Sequence, residues 1–83
     1  MSKYVNLNNG MVKDIAPVTP SDSDDIGGFV VGLYITEGGT IAFETPYGGT
    51  RTITVPDNFT LVCRVNRVNA TGTDAGGIHA YLA

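Results

Sequence analysis

Few residues of this chain have side chains that could carry out chemistry. His79 is the single histidine and Cys63 the single cysteine of the 83-residue sequence. A catalytic dyad needs a histidine within reach of a nucleophile and an orienting acid, whereas Cys63 lies in an apolar run typical of a buried strand. We interpret Cys63 as a core residue and His79 as a surface or interface residue. The sequence therefore predicts no catalytic residue, no enzyme activity and no cofactor.

An acidic cluster is the second feature whose side chains could have a chemical role. Asp22, Asp24 and Asp25 surround Ser23, and calcium prefers oxygen ligands of this type. The spacing departs from that of an EF-hand loop, and no closing glutamate follows. We favour an Asp/Ser turn before the first core strand, and we predict no metal site; calcium binding is the alternative.

Three arginines offer recognition of another protein instead of catalysis. A planar guanidinium makes bidentate contacts with carboxylates and is enriched in protein interfaces. Ordinary solubilising charge is the alternative interpretation. Two tyrosines could line the same surface or could equally cap the core. The candidate subunit-interface residues are Arg51, Arg64, Asn66, Arg67, Tyr34 and Tyr81.

Length and charge limit the possible partners. The formal net charge is −3, and without clustered Lys and Arg the chain is a poor ligand for nucleic acid. No apolar run approaches the ~20 residues that span a bilayer, and no signal peptide is recognisable, so we expect synthesis in the cytoplasm.

A domain this small has marginal stability alone. One cysteine excludes an internal disulfide, so we expect a homo-oligomer.

The elements that must position these residues are short strands separated by glycine turns. Alternating apolar residues predict strands from Gly28 to Thr36, 40–45, 51–55, 59–69 and 78–82, and no window shows helical periodicity. Phe29, Val31, Leu33 and Ile35 are predicted to share one face of the first of these strands. The strand from Phe59 to Asn69 is predicted to be the longest. The pattern indicates an all-β fold, a small antiparallel β-sandwich or barrel of about six strands.

The N-terminal segment differs from the rest of the chain. Residues 1–27 contain two prolines and the acidic cluster, and proline favours extended backbone. We expect an extended arm over residues 1–27, with one short strand near 4–7 or 12–16, and a β-sandwich core over residues 28–83. A disordered tail is the alternative to an arm that orders on a neighbouring subunit. The candidate arm contacts are Tyr4, Val5, Leu7, Val12 and Ile15.

Several sequence motifs from Val18 to Leu82 resemble one family. In chain order they read VTPSDSDD, GLYITEGGTIAF, GGTRTITVPDNF, RVNRVNATGT and GIHAYL. In these motifs the chain resembles short virion proteins of bacteriophages and gene transfer agents, including the head spike-base proteins. The resemblance covers turns and strand patterns and contains no catalytic signature.

The resemblance implies a structural role on the surface of a phage-like particle. The implied protein binds the capsid as a decoration or cement protein, or forms the base of a head spike. Its implied partners are copies of itself in a trimer or pentamer, the major capsid protein and, at a spike, a fibre protein. The alternative is a small receptor- or carbohydrate-binding module of a fibre or tail-associated complex, in which Tyr34, Tyr47 or Tyr81 would contact the sugar.

Overall fold

The computed structural model describes residues 12–83, which form seven β-strands. The strands are β1 (Asp14–Pro17), β2 (Val30–Glu37), β3 (Gly39–Glu44), β4 (Thr50–Val55), β5 (Phe59–Val62), β6 (Arg67–Val68) and β7 (Gly76–Leu82). No helix occurs in this part of the chain, and thus none that could cross a membrane. The predicted all-β fold is confirmed.

The strands form two antiparallel sheets that pack face to face. One sheet has the order β1-β7-β2-β5 and the other the order β4-β3-β6. Leu33, Ile35, Ile78 and Ala80 of the first sheet pack in one core with residues of the second. The second sheet's main contributions are Ile41, Phe43, Val55 and Val68. This arrangement is a small β-sandwich, one of the two architectures that the sequence predicts.

A β-bulge in β2 changes which side chains enter the core. The pairing of β2 with β7 shifts between Val30 and Gly32, and a bulge places two residues opposite one, so the alternation of faces is reset. Val30 is therefore buried together with Leu33 and Ile35, while Phe29 is exposed. The predicted common face of Phe29, Val31, Leu33 and Ile35 is wrong for its first two members.

The predicted long strand from Phe59 to Asn69 is also wrong. The chain leaves the four-stranded sheet after Val62 and joins the three-stranded sheet at Arg67. Val65 is 2% exposed at the crossing between the sheets. Cys63 lies just after the end of β5, and its side chain is partly buried and packs against the core, as the strand pattern predicts.

The described part of the predicted arm, residues 12–27, packs on its own subunit. β1 pairs with β7 over four residue pairs, from Asp14–Leu82 to Pro17–His79. Beyond it, the backbone N–H of Val18 donates to the carbonyl of Ile78 at 2.9 Å. β1 matches the short strand expected near residues 12–16. The other expected location, residues 4–7, lies outside the described residues.

Candidate interaction surfaces

Arg67 organises a cluster of polar side chains on the three-stranded sheet. Its Nη2 lies 2.8 Å from Glu44 Oε2, and its Nε donates to Asn69 Oδ1 at 3.1 Å. Its Nη1 donates to the Ser23 carbonyl at 3.3 Å and lies 3.7 Å from the Asp25 carboxylate. We call these five residues the Arg67 cluster. The guanidinium is therefore used largely within its own subunit.

Within this cluster, Arg67 and Glu44 affect each other's protonation. The hydrogen bond from Arg67 lowers the pKa of Glu44 below its usual range, although partial burial opposes this effect. In return, the carboxylate raises the pKa of Arg67. Both groups are thus held in their ionised forms near neutral pH.

The segment from Ser21 to Ile26 covers the outer edge of β6. The Ser21 N–H donates to the Val68 carbonyl at 2.8 Å, and the Ile26 N–H donates to the Asn66 carbonyl at 2.9 Å. An uncovered strand edge would offer these carbonyls to other chains. The segment therefore closes one edge of the three-stranded sheet.

The acidic cluster is a turn held by local hydrogen bonds. Ser21 Oγ accepts the N–H groups of Ser23 and Asp24 at 3.2 and 3.0 Å. Asp22 accepts from the N–H and hydroxyl of Thr71 at 2.9 and 2.7 Å, and the bond from the Thr71 N–H is the main reason that its pKa is lowered. Among residues 12–83, no group of three or more side chains could hold a metal ion.

An open groove of about 530 Å³ lies between the β3–β4 hairpin and the segment that follows β5. We call it the arginine groove, and it is lined mainly by Phe43, Pro46, Tyr47, Arg51, Cys63 and Arg64. Its floor is apolar and its lining contains two guanidinium groups and no carboxylate. The groove therefore suits a partner that combines an anionic group with an apolar one.

Each arginine of this groove is oriented by a backbone carbonyl. Arg51 Nη1 donates to the Gly48 carbonyl at 2.6 Å. Arg64 Nε donates to the Val30 carbonyl at 3.1 Å, and its guanidinium stacks 3.9 Å from the centre of the Phe29 ring. Within residues 12–83, neither arginine forms a salt bridge. Their charges are therefore available to a partner.

A second groove, of about 360 Å³, lies beside the turn of the acidic cluster. We call it the acidic groove, and it is lined mainly by Pro17, Val18, Pro20, Asp24, Asp25 and Ile26. Asp25 lies near Arg67, whereas Asp24 has no cationic partner among the described residues. This groove thus combines apolar walls with a free carboxylate.

The outer face of the four-stranded sheet is the third candidate surface. One row of side chains across it consists of Ile15, Tyr81, Gly32 and Val62. The next row consists of Pro17, His79, Tyr34 and Thr60. We call these eight residues the uncharged sheet face. None of the eight is an Asp, Glu, Lys or Arg, and the exposed apolar side chains of Ile15 and Val62 make this face a candidate contact surface.

The most exposed apolar side chain of the uncharged sheet face is Val62, at 86%. The Tyr81 ring covers Gly32, since a Cβ added to this glycine would lie 3.5 Å from Tyr81 Cδ2. Tyr34 donates its hydroxyl to Asn58 Oδ1 at 3.2 Å, and His79 Nδ1 lies 3.2 Å from the Gly77 carbonyl. Tyr34 is therefore held by its hydroxyl, and the Tyr81 ring lies over Gly32.

The predicted interface residues fall on different parts of the molecule. Tyr34 and Tyr81 lie on the uncharged sheet face, Arg51 and Arg64 line the arginine groove, and Arg67 belongs to its cluster. Asn66 is exposed at the crossing between the sheets. The structure does not bring the six residues together on one surface.

Of the predicted arm contacts, two lie in the described part of the chain. Ile15 is on the uncharged sheet face, and Val12 precedes β1; both are about half exposed. Tyr4, Val5 and Leu7 lie outside the described residues. Val62 was not among the predicted interface residues. It faces away from the core in the alternating pattern of β5, and this alternation could have identified it as an exposed apolar residue.

Comparison with known proteins gives one informative relative. No protein-family model and no curated protein matches the chain. A solved structure, the capsid of a native gene transfer agent particle computed with C5 symmetry, contains a chain with 34% sequence identity and a TM-score of 0.77. The match covers 84% of this chain and 82% of that one. The present chain belongs to the family of that capsid-particle protein. The resemblance to virion proteins of gene transfer agents is thus confirmed at the level of the family.

Proposed function

We propose that the chain is a non-enzymatic structural protein of a phage or gene transfer agent particle. It binds the capsid surface as a decoration or cement protein, or as the base of a head spike. The observation that carries this proposal is the relative in a gene transfer agent capsid, with 34% identity over most of both chains. The partners are the major capsid protein, further copies of this chain and, at a spike, a fibre protein.

The uncharged sheet face supports this function as the surface that meets the capsid. Its two rows place Ile15, Tyr81, Tyr34 and Val62 on one side of the domain without a charged side chain between them. Burying such a surface requires no desolvation of Asp, Glu, Lys or Arg side chains, and the apolar area removed from water favours binding. Tyrosine side chains add contact area at low entropic cost.

The N-terminal arm is the second part of the proposal. Residues 1–11 precede β1, which is an edge strand of the same sheet, and contain Tyr4, Val5 and Leu7. We infer that these residues contact a neighbouring subunit and add to the assembly surface.

Binding to empty capsids tests the proposed function. The purified protein should co-sediment with capsid shells assembled from the major capsid protein of its own particle. Val62→Glu should weaken this binding, because it places a charge in the contact. Thr54→Glu is the control, since this exposed residue lies on β4 in the other sheet. Wild-type protein that stays in the supernatant at saturating shell concentration would contradict the proposal.

A carbohydrate-binding module is the second candidate function. Tyr47 is 94% exposed beside the two free guanidinium groups of the arginine groove, which suits an acidic sugar. Binding on a glycan array that disappears with Tyr47→Ala, together with no binding to capsid shells, would favour this function.

A further inference from the structure

Two surfaces of this chain are complementary in charge, and each also has an apolar or aromatic part. The hairpin between β3 and β4 carries Tyr47, an aromatic side chain that is almost fully exposed, beside the unpaired guanidinium of Arg51. The acidic groove has apolar walls and the unpaired carboxylate of Asp24. Tyrosine and arginine are the residues that most often dominate binding energy in protein interfaces.

The hairpin tip is already ordered for such a contact. The Gly48 N–H donates to the Thr45 carbonyl at 2.9 Å and closes the turn, and the Gly48 carbonyl accepts from Arg51 at 2.6 Å. This bond holds the guanidinium next to Tyr47. A side chain held in its binding conformation loses less entropy when a partner binds.

The acidic groove can receive a phenol ring. Its volume of about 360 Å³ lies at the lower end of the range of roughly 300–1,000 Å³ that is typical of ligand pockets. Val18, Pro20 and Ile26 provide apolar walls, and Asp24 and Asp25 also line the groove. In this position Asp24 can meet a cation that arrives next to the ring.

We propose that Tyr47 of one copy inserts into the acidic groove of a second copy, where Arg51 pairs with Asp24. The inference rests on the proposed self-association of the virion protein and names the contact that forms it. The contact pairs two charged groups, Arg51 and Asp24, that form no salt bridge within residues 12–83. Because the net charge of each copy is −3, association also needs a local attraction of this type to overcome mutual repulsion.

Charge reversal tests the contact. Sedimentation velocity over a concentration series gives the dissociation constant of the full-length protein and its variants. Arg51→Glu and Asp24→Arg should each weaken association by about tenfold or more, as measured for close interfacial charge pairs. Tyr47→Ser should weaken it as well. All three side chains are exposed, so circular dichroism should show an unchanged fold.

A charge-swap variant distinguishes a direct pair from a general effect of charge. The double variant Arg51→Glu with Asp24→Arg has the wild-type net charge and should regain most of the association that each single variant loses. The matched control is Thr52→Glu with Thr54→Glu, which changes the net charge as much as Arg51→Glu does and lies on the same strand. This control should associate like the wild type.

The outcomes separate this contact from the proposed function. Wild-type protein that is monomeric at every concentration, or a swap variant that associates no better than the single variants, would overturn the contact. Capsid binding by the wild type in either case would leave the proposed function standing. Association as expected without capsid binding would support the contact and contradict the capsid-binding function.

Discussion

Arg67 Nη2 and Glu44 Oε2 are 2.8 Å apart and join neighbouring strands of the three-stranded sheet. The same guanidinium reaches the Ser23 carbonyl and approaches Asp25. One side chain thus connects β6 with β3 and with the segment that covers the outer edge of β6. Because β6 has only two residues, its own ladder hydrogen bonds are few, and this connection adds to the support from the buried Val68 and from the backbone hydrogen bonds of the covering segment.

Arg67→Met should lower the melting temperature by several degrees. The substitution keeps the apolar stem but leaves Glu44 and Asn69 without their charged donor, and a polar group that loses its partner is destabilising. Thermal unfolding followed by circular dichroism measures the change. The control is Arg51→Met, which removes a guanidinium with a single backbone contact and should have little effect. Equal melting temperatures for the two variants would contradict the structural role of Arg67.

Stability should decrease at acidic pH through Glu44 and Asp22. The folded-state pKa of each carboxyl is lower than its ordinary value, so each contributes stability above its unfolded pKa. This stability is lost as the pH falls through the folded pKa, that is, below about pH 4. Urea denaturation between pH 7 and pH 3 should show the decline.

Glu44→Gln and Asp22→Asn should each reduce this pH dependence. The neutral side chains do not gain a proton in this pH range, so the contribution of each carboxyl to the change of unfolding free energy with pH disappears. Asp24→Asn is the control, because Asp24 is exposed and has no cationic partner in residues 12–83. A slope that is identical in all variants would show that other groups cause the acid sensitivity.

Gly32→Ala should destabilise the four-stranded sheet by about 1–3 kcal/mol. A Cβ at this position would lie 2.8 Å from the backbone carbonyl oxygen of Leu61, so the neighbouring strand would have to move. Urea denaturation measures the free energy of unfolding. Thr60→Ala on the same neighbouring strand removes an exposed side chain and should change it by less than about 0.5 kcal/mol. A Gly32→Ala variant as stable as the wild type would contradict the close approach.

Deletion of residues 1–11 should leave the domain folded and weaken its assembly. The deletion keeps β1, which pairs with β7. A deletion of residues 1–17 should instead destabilise the fold, because it also removes β1 and exposes the edge of β7. Circular dichroism and capsid binding measure the two effects separately. Unchanged capsid binding after the shorter deletion would contradict the arm contact.

Local patterns predicted most of the fold. The glycine turns and alternating residues indicated an antiparallel β-protein. β2, β3, β4 and β7 lie where the pattern placed a strand, β5 and β6 both lie within the predicted strand 59–69, and β1 lies at one of the two positions expected for a short strand. The bulge at Val30 and Gly32 was not predictable, because the partner strand β7 imposes it. The break after Val62 has a similar cause. Both halves of the predicted strand from Phe59 to Asn69 are good strand sequences, and only packing between the sheets decides where the chain crosses from one sheet to the other.

The candidate surfaces were less predictable than the fold. From the sequence Tyr34 and Tyr81 could either line a surface or cap the core, and strand order places them in neighbouring rows on the outer face of one sheet. From the sequence, Arg67 and Arg64 were both predicted to be subunit-interface residues. The actual role of Arg67 depends on Glu44 and Ser23, which are distant in the sequence and adjacent only after folding.

The position of β7 also determines when this domain can fold. β7 lies between β1 and β2 in the four-stranded sheet and pairs with both. While a ribosome is still translating residues before Gly76, neither pairing can form, and the apolar residues of β2 lack a partner strand on one side. We therefore expect this sheet to form only after β7 has left the ribosomal exit tunnel. Until then the nascent chain exposes aggregation-prone strand edges that chaperones would have to shield.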